Sequence, residues 1–488
     1  MKPEELLFKE RLEKLKKIIN LGFNPYPSKY DKKDDLIDIT KEYSKLKNEE
    51  YAKKNVKTAG KIMAIREMGK ASFFDIQDEK GKIQCFVKED EIKKRYELYK
   101  LLDIGDVVGV DGPVFRTKRG EISILVKDLN ILSKSLKPLP DKWHGLKDAE
   151  ERFRKRYLDL LMNPEVKELF VKKSKFWQVI RNFLLLKGFL EVETPVLENS
   201  TGGAAATPFK THHNSLDLDV YLRISMGELW QKKLLVGGFE KTFEIGRQFR
   251  NEGIDTEHLQ DYTQMEFYWA YANYKDGMEL VQEMYKLIAK EVLGTLKFRS
   301  HGFEIDLGKK WEIYDYENLI KEKTGMKIFD ATKKDIQKKL DSLKVEYEKN
   351  ADKWRLVDVL WKFCRKDIPG PGFLINQPVE VSPLAKRNEK DNRKVEQFQV
   401  IIAGTEIGNG YSELNDPLDQ EKRFIEQRKL KEAGDIEAHE HDESFVEALK
   451  YGMPPACGFG VSERLFAYLV DKSLRGCVLF PIMKPEKG

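Results

Sequence analysis

The sequence predicts an α+β protein in which a small β-barrel precedes a larger domain, the latter built on one mixed, mainly antiparallel sheet flanked by helices. Three observations predict it. Between residues 56 and 133, five short runs of alternating apolar and polar residues follow one another at near-regular spacing. From residue 157 onward, helical periods alternate with strand-like runs, several of them joined by hairpin turns. At 488 residues the chain is long enough to build two or three separate cores.

The elements follow in order. Residues 1–55 form an N-terminal helical arm: Phe8, Leu12, Leu15 and Ile19 recur at helical spacing within 4–21, Lys and Glu lie opposite, and Gly22 is the stop. A solvated helix packed on a neighbouring domain is preferred over an arm that touches nucleic acid. The barrel strands are Gly60–Ile65, Ala71–Asp78, Lys82–Val87, Asp106–Val110 and Glu121–Val126. Five strands with intervening turn signals suit the closed OB-fold over residues 56–133. Its basic residues (Lys61, Arg66, Lys70, Lys82, Arg116, Lys118, Arg119) interleave with Phe73, Phe86 and Phe115. That mixture suits single-stranded nucleic acid, where rings stack on bases and cations follow phosphates, but rings of a barrel equally serve to fill its core. Residues 134–156, Pro-rich and then charged, read as a linker into a domain spanning 157–488. Within it, residues near 330–366 are Lys-rich and helical and read as an inserted, solvated appendage.

Composition excludes little and directs little. The net charge is +5, from 87 basic and 82 acidic residues, a balance too even to imply nucleic-acid binding without local patches. Four scattered cysteines contain no CxxC pair, so neither a zinc site nor a disulfide framework is expected, in keeping with a reducing cytosol. The first residues lack the apolar core of a signal peptide. No later stretch approaches the roughly 20 apolar residues of a membrane span, so a soluble, cytoplasmic protein without membrane partners is expected. His212-His213 have no third ligand at metal spacing and read as hydrogen-bonding loop residues.

Residues 243–268 carry most of the functional information. An alternating run ends in Phe249-Arg250-Asn251-Glu252-Gly253, turns, and resumes as a second alternating run containing Glu266 and Tyr268. Period-two spacing places Arg250 with Glu252 on one strand face and Glu266 with Tyr268 on another. A half-buried face bearing both charge signs is costly unless a polar ligand satisfies it, so the ligand should itself carry both signs.

The Phe-Arg-Asn-Glu run resembles motif 2 of the class II aminoacyl-tRNA synthetases, and its surroundings resemble the lysyl-tRNA synthetase branch. The resemblance implies that Arg250 holds the α-phosphate of ATP, that Glu252 meets the adenine, and that Tyr262 stacks on the base. Residues 174–195, a helix closed by Gly188 and a strand ending at Pro195, are similar to motif 1 and imply a homodimer. Gly458-Phe459-Gly460-Val461-Ser462-Glu463-Arg464-Leu465 is similar to motif 3, which assigns Arg464 to the γ-phosphate and adenine of a bent ATP. His258 joins the nucleotide set by position.

The amino-acid side follows from three further segments. The small-residue run Gly202-Gly203-Ala204-Ala205-Ala206 lets backbone approach a substrate, with Gly203 assigned to lysine. Glu228 matches the glutamate that receives the α-amino group in the lysyl branch, in a stretch one residue longer than usual. In Gly404-Thr405-Glu406-Ile407-Gly408-Asn409-Gly410-Tyr411-Ser412-Glu413, alternation turns Asn409, Tyr411 and Glu413 to one face. A lysine ε-ammonium in a closed pocket needs a fixed carboxylate. The resemblance gives Glu413 that role, with Tyr268, Asn409 and Tyr411 around it, and adds Glu266 to the lysine-binding set. In the barrel, Phe73, Gln84 and Glu121 match anticodon-reading positions.

These likenesses imply an ATP-dependent ligase that forms lysyl-adenylate and passes the lysyl group to the 3′ end of tRNA(Lys), with Arg250, Arg464 and Mg²⁺ stabilising charge and no protein nucleophile. Glu406 matches a metal ligand. The chain departs from the family pattern at several places: Gln399 stands where a second metal-binding glutamate is usual, Glu257 where an arginine is usual, and Thr207 in place of a common arginine. The motif 3 segment is also one residue short. Gln399 and Glu257 motivate an alternative, a catalytically silent paralogue serving as an RNA-binding or regulatory module. A lysyl transferase acting on protein, and a synthetase for another amino acid, are two further alternatives.

Overall fold

The computed structural model describes residues 3–68, 71–140, 148–200, 203, 206–253, 258–432 and 442–486. Lys70, residues 141–147 of the linker, Gly202, Ala204, Ala205 and Glu257 lie outside the described residues. The chain divides into two compact units, Met1–Met162 and Asn163–Gly488.

In the first unit the strand Tyr51–Met68 is long enough to pair with two neighbours, Ala71–Gln77 along one half and Val107–Arg116 along the other. With Lys82–Lys88 and Ile122–Leu125 between them, these strands close a five-membered ring. Alternation fills it: Phe74, Ile76, Ile83, Cys85, Val87, Val108, Val110 and Ile124 point inward to one buried cluster. A sixth strand, Asp128–Ser133, pairs with Val107–Arg116 and was not anticipated by the sequence pattern.

The N-terminal helix Pro3–Asn20 forms as expected but turns a different face to the barrel. Phe8 and Ile19 are 38% and 53% exposed, whereas Ile18 is fully buried and Arg11 nearly so. The Arg11 guanidinium donates to the backbone oxygens of Ile104 at 3.1 Å, Ser135 at 3.2 Å and Lys137 at 3.0 Å. Charge-assisted bonds to three backbone carbonyls outweigh the burial of the Phe8–Ile19 stripe.

The second unit is an eight-stranded sheet in the order Glu312–Asp315, Gly372–Ile375, Gln397–Ile402, Thr405–Ser412, Ala456–Ser462, Asp261–Ala270, Lys241–Phe249, Leu190–Glu191. Only the outermost pair at each end is parallel. One face packs on the helices Pro164–Leu186 and Tyr274–Leu293, where Phe176, Ile180, Phe183, Met284 and Ile288 meet Phe267, Phe398 and Phe459. The rings of Phe398 and Phe459 stack at 5.6 Å, and truncating either to Ala would cost about 3–5 kcal/mol. Because side chains alternate, burying Phe267 and Phe459 against these helices turns Glu266, Tyr268, Gly458 and Gly460 to the opposite face. The fold class is the α+β arrangement that the sequence predicts.

The 330–366 segment is not a solvated appendage. Its helices Lys333–Ser342 and Lys353–Arg365 join Tyr316–Thr324 in a separate core of Ile320, Ile336, Leu340, Leu356, Leu360 and Trp361. Leu374 and Ile401 of the sheet belong to the same cluster. The abundant lysines occupy the outer faces and mask this apolar pattern in the composition.

Candidate active site

Beneath the open face of the sheet lies a cavity of about 500 Å³. Its floor is the Ala456–Ser462 strand, whose register sets Gly458 between Tyr268 and Tyr411 and Gly460 between Glu266 and Asn409. Two glycines at these points leave room that any side chain would take. A Cβ on Gly458 would lie 2.1 Å from Glu413 Oε1 and 2.6 Å from the Tyr268 ring. Gly203 has φ +85°, and a Cβ there would meet Ser225 Oγ at 2.7 Å and Glu228 Cβ at 2.9 Å.

The structure brings Gly203, Glu228, Arg250, Glu252, His258, Tyr262, Glu266, Tyr268, Gln399, Glu406, Asn409, Tyr411, Glu413 and Arg464 to the wall of this one cavity. They come from widely separated segments, so the meeting is a property of the fold. Local placement differs from the sequence reading at the hairpin: the strand Lys241–Phe249 ends before Arg250, which places Arg250 and Glu252 beyond it. His212 and His213 are on the exposed strand Lys210–His213, not in a loop, and His212 Nδ1 pairs with Asp219 at 3.1 Å.

Three carboxylates define one end. Glu266 accepts from Met226 N at 3.2 Å, Gln264 Nε2 at 2.6 Å and Tyr268 Oη at 3.0 Å. Glu228 begins the helix Glu228–Val236 and accepts from Tyr411 Oη. Glu413 follows the Thr405–Ser412 strand and is 1% exposed. Burial pushes the Glu266 carboxyl up to about 7, with the nearby Glu228 charge adding to it. Burial likewise pushes Glu413 up to about 8, against the pull of Lys232. The Tyr268 and Tyr411 hydroxyls are also raised by burial and by the same carboxylates, so both stay protonated and can donate.

Two guanidinium groups define the other end. Arg250 Nε donates to Ile224 O at 3.4 Å, its backbone N–H donates to Gln260 O at 2.7 Å, and its guanidinium carbon lies 5.8 Å from the centre of the Tyr262 ring. Arg464, at the start of the helix Arg464–Leu469, has Nη2 3.4 Å from His258 Nε2. Glu252 Oε1 accepts from Thr207 N at 3.4 Å. Gln399 and Glu406 also line the wall. Glu406 accepts from Trp361 Nε1 and lies 3.7 Å from Arg365 Nε, so the inserted helix Lys353–Arg365 braces it.

In the first unit Phe73 and Gln84 are on neighbouring strands of the ring and turn away from the core, and Glu121 is exposed just before the strand Ile122–Leu125. Phe73 stacks on Phe86 at 4.5 Å, and Gln84 Oε1 accepts from Ser123 Oγ at 2.9 Å. Neither ring belongs to the barrel core, which instead takes Phe74.

Sequence reasoning missed Gln264, which holds Glu266, and Lys232, whose ammonium pairs with Glu228 and Glu413. The helical offset of four between Glu228 and Lys232 is a signal that pointed to the second.

Residues 148–484 match the family model described as tRNA synthetases class II (D, K and N). The chain belongs to this family of class II tRNA synthetases. Residues 56–132 match the model of the OB-fold nucleic acid binding domain. Among curated relatives, a protein of Thermoanaerobacter sp. (strain X514) named lysine–tRNA ligase is 46% identical, covering 99% of this chain and 97% of its own. One of the same name from Thermotoga maritima is 45% identical over 98% and 96% of the two chains. Another, from Carboxydothermus hydrogenoformans, is 45% identical over the whole of both. As a class II synthetase, the chain has its catalytic domain in the second unit and its OB-fold in the first.

Proposed function

We propose that this synthetase activates L-lysine with ATP and transfers the lysyl group to tRNA(Lys). One observation carries the reading: a single cavity joins a buried triad of carboxylates to a pair of guanidinium groups. A substrate with two ammonium groups and a carboxylate suits the first end, and a polyphosphate suits the second. Relatives named lysine–tRNA ligase, at about 45% identity over nearly full length, support it. No observation favours a silent regulatory module.

In this reading Glu228 and Glu266 receive the α-ammonium, with Gly203 giving backbone room, and Glu413, Tyr268, Asn409 and Tyr411 receive the ε-ammonium. Fixing both nitrogens aims the lysine carboxylate at the α-phosphate. Arg250 takes the charge that grows there, while Arg464 and His258 hold the γ-phosphate and Tyr262 and Glu252 the adenine. The carboxylate oxygen bonds to the α-phosphorus as its bond to the bridging oxygen breaks, giving lysyl-adenylate and pyrophosphate. A tRNA 3′-terminal hydroxyl then attacks the lysyl carbonyl and AMP leaves.

Glu406 and Gln399 both line the cavity, and their side-chain oxygens suit a hard cation completed by phosphate oxygens. Gln399 brings no charge, Arg365 offsets part of that on Glu406, and no group of three His, Cys, Asp or Glu placed to hold a metal ion occurs among the described residues. Bound Mg²⁺ would supply charge neutralisation for the phosphates. We further assign residues 56–133 to anticodon reading through Phe73, Gln84 and Glu121, residues 134–156 to the linker, and residues 157–488 to the chemistry. A homodimer through the motif 1 region would cover Leu185, Leu186 and Leu190, of which Leu186 is 87% exposed. No described helix is long and apolar enough to cross a membrane, and we assign the protein to the cytoplasm. Lysine-dependent exchange of pyrophosphate into ATP tests the function: incorporation with lysine and with no other amino acid is expected, and none with any divalent cation would overturn it.

A further inference from the structure

The acidic end of the cavity holds more negative charge than its proposed ligand brings positive charge, and one residue behind the wall makes up the difference. Lys232 lies one helical turn after Glu228 and is fully buried. Its Nζ is 2.9 Å from Glu228 Oε1 and 2.5 Å from Glu413 Oε2. The rings of Tyr268, Tyr411 and Phe445 surround it with centres 5.9, 5.4 and 5.8 Å away. Among the described residues, no other cation pairs with Glu228, Glu266 or Glu413. Lys232 is not part of the cavity wall. It cannot be displaced by substrate without leaving an ammonium stranded among aromatic rings, so it is a fixed counter-charge.

We propose that Lys232 sets the charge of the amino-acid pocket: once the three carboxyls are ionised, they and the one ammonium sum to −2, the complement of a diamino acid, and this match fixes the discrimination against uncharged side chains. The inference rests on the cavity being the lysine site. Lys232 is a positioning residue, since it acts on the ligand only through Glu228 and Glu413.

Besides Lys232, the titratable groups around Glu413 are Glu228 on the helix, Glu266 and Tyr268 on the Asp261–Ala270 strand and Tyr411 on Thr405–Ser412, while Cys457 of Ala456–Ser462 is on the helix-packed face and feels the Glu413 charge through the sheet. Apart from Lys232, these groups are neutral or negative. Burial opposes the charge on Lys232, but Glu228 and Glu413 outweigh it and raise its proton affinity, so it stays an ammonium. Without it, burial and two like charges act on Glu413 unopposed, and its carboxyl holds its proton to higher pH than it does beside Lys232. A protonated Glu413 offers the ε-ammonium no charge and an uncharged side chain less penalty.

The test compares the full chain with Lys232→Met and Lys232→Gln, after circular dichroism and ATP binding establish folding. Pyrophosphate exchange is measured with lysine and with norleucine, which lacks only the ε-amino group, from pH 6.5 to 9. For both variants the lysine KM at pH 7.5 is expected to rise about tenfold or more while the ATP KM stays within about twofold. The preference for lysine over norleucine is expected to shrink by about tenfold, and the fall of lysine KM with pH to move up by about one pH unit or more. An unchanged lysine KM, unchanged preference and unchanged pH profile would overturn the proposal, as would tighter lysine binding at unchanged preference. If both neutral variants fail to fold while Lys232→Arg folds, the residue is a structural counter-ion only and the proposal is overturned. Lack of lysine-dependent exchange in the unaltered chain would instead overturn the functional reading beneath it.

Discussion

The two ends of the cavity are built by different means. At the acidic end Glu228, Glu266 and Glu413 are 6%, 6% and 1% exposed, and they sit on or directly beside regular elements over a glycine floor. At the basic end Arg250 lies past the end of its strand and Arg464 at the start of a short helix, both half-buried. Specificity for a small cationic side chain demands a desolvated, rigid partner, because an unpaired carboxylate there is costly. Charge stabilisation of phosphates demands reach and donor geometry more than burial. The acidic end should therefore decide which amino acid binds, and the basic end how fast it reacts.

Arg250→Ala should have the largest effect, lowering the rate of lysine-dependent exchange by about 10²–10³-fold with a small change in lysine KM. Steady-state exchange kinetics check this; an effect confined to lysine KM would place Arg250 at the wrong end. Glu413→Gln should show the converse, a loss of roughly 10²-fold in kcat/KM for lysine with ATP KM nearly unchanged, since a buried charge pair is removed.

The pH dependence sharpens the contrast at lower cost. Glu266 and Glu413 are raised from the ordinary 4.5 to about 7 and about 8, so both are largely protonated at pH 6. Lysine KM should fall about tenfold between pH 6 and 8.5, and ATP KM much less. The same two shifts give stability that is present below pH 4.5 and lost as pH rises through 7 to 8. Lysine should accordingly raise Tm more at pH 8.5 than at pH 6, measured by differential scanning. The smallest effect belongs outside the cavity: Phe73→Ala should raise the KM for tRNA about tenfold and leave pyrophosphate exchange unaltered, the loss of one base–ring stack.

Much of this arrangement is legible in the sequence because motif residues carry their own spacing. Asn409, Tyr411 and Glu413 alternate, and Glu266 and Tyr268 alternate, so each set shares a face before any partner is known. The barrel strands are legible for the same reason, as Phe74, Ile76, Ile83, Cys85 and Val87 show. What eluded sequence reasoning depends on tertiary partners. Lys232 resembles any solvated lysine until Glu413 arrives from 181 positions further along. The helix Pro3–Asn20 turns its Arg11 face inward because three carbonyls from distant segments await it. The core of Leu340, Leu356 and Trp361 is hidden by the lysines between its members. Trp361 in turn braces Glu406, which no local pattern reports.

A crystal structure with lysine and a non-hydrolysable ATP analogue tests the central claim most directly. The ε-ammonium is expected on Glu413 and the α-phosphate on Arg250 within the same cavity, with Lys232 still held between Glu228 and Glu413. Lysine seated away from Glu413, or a nucleotide out of reach of Arg250, would contradict it.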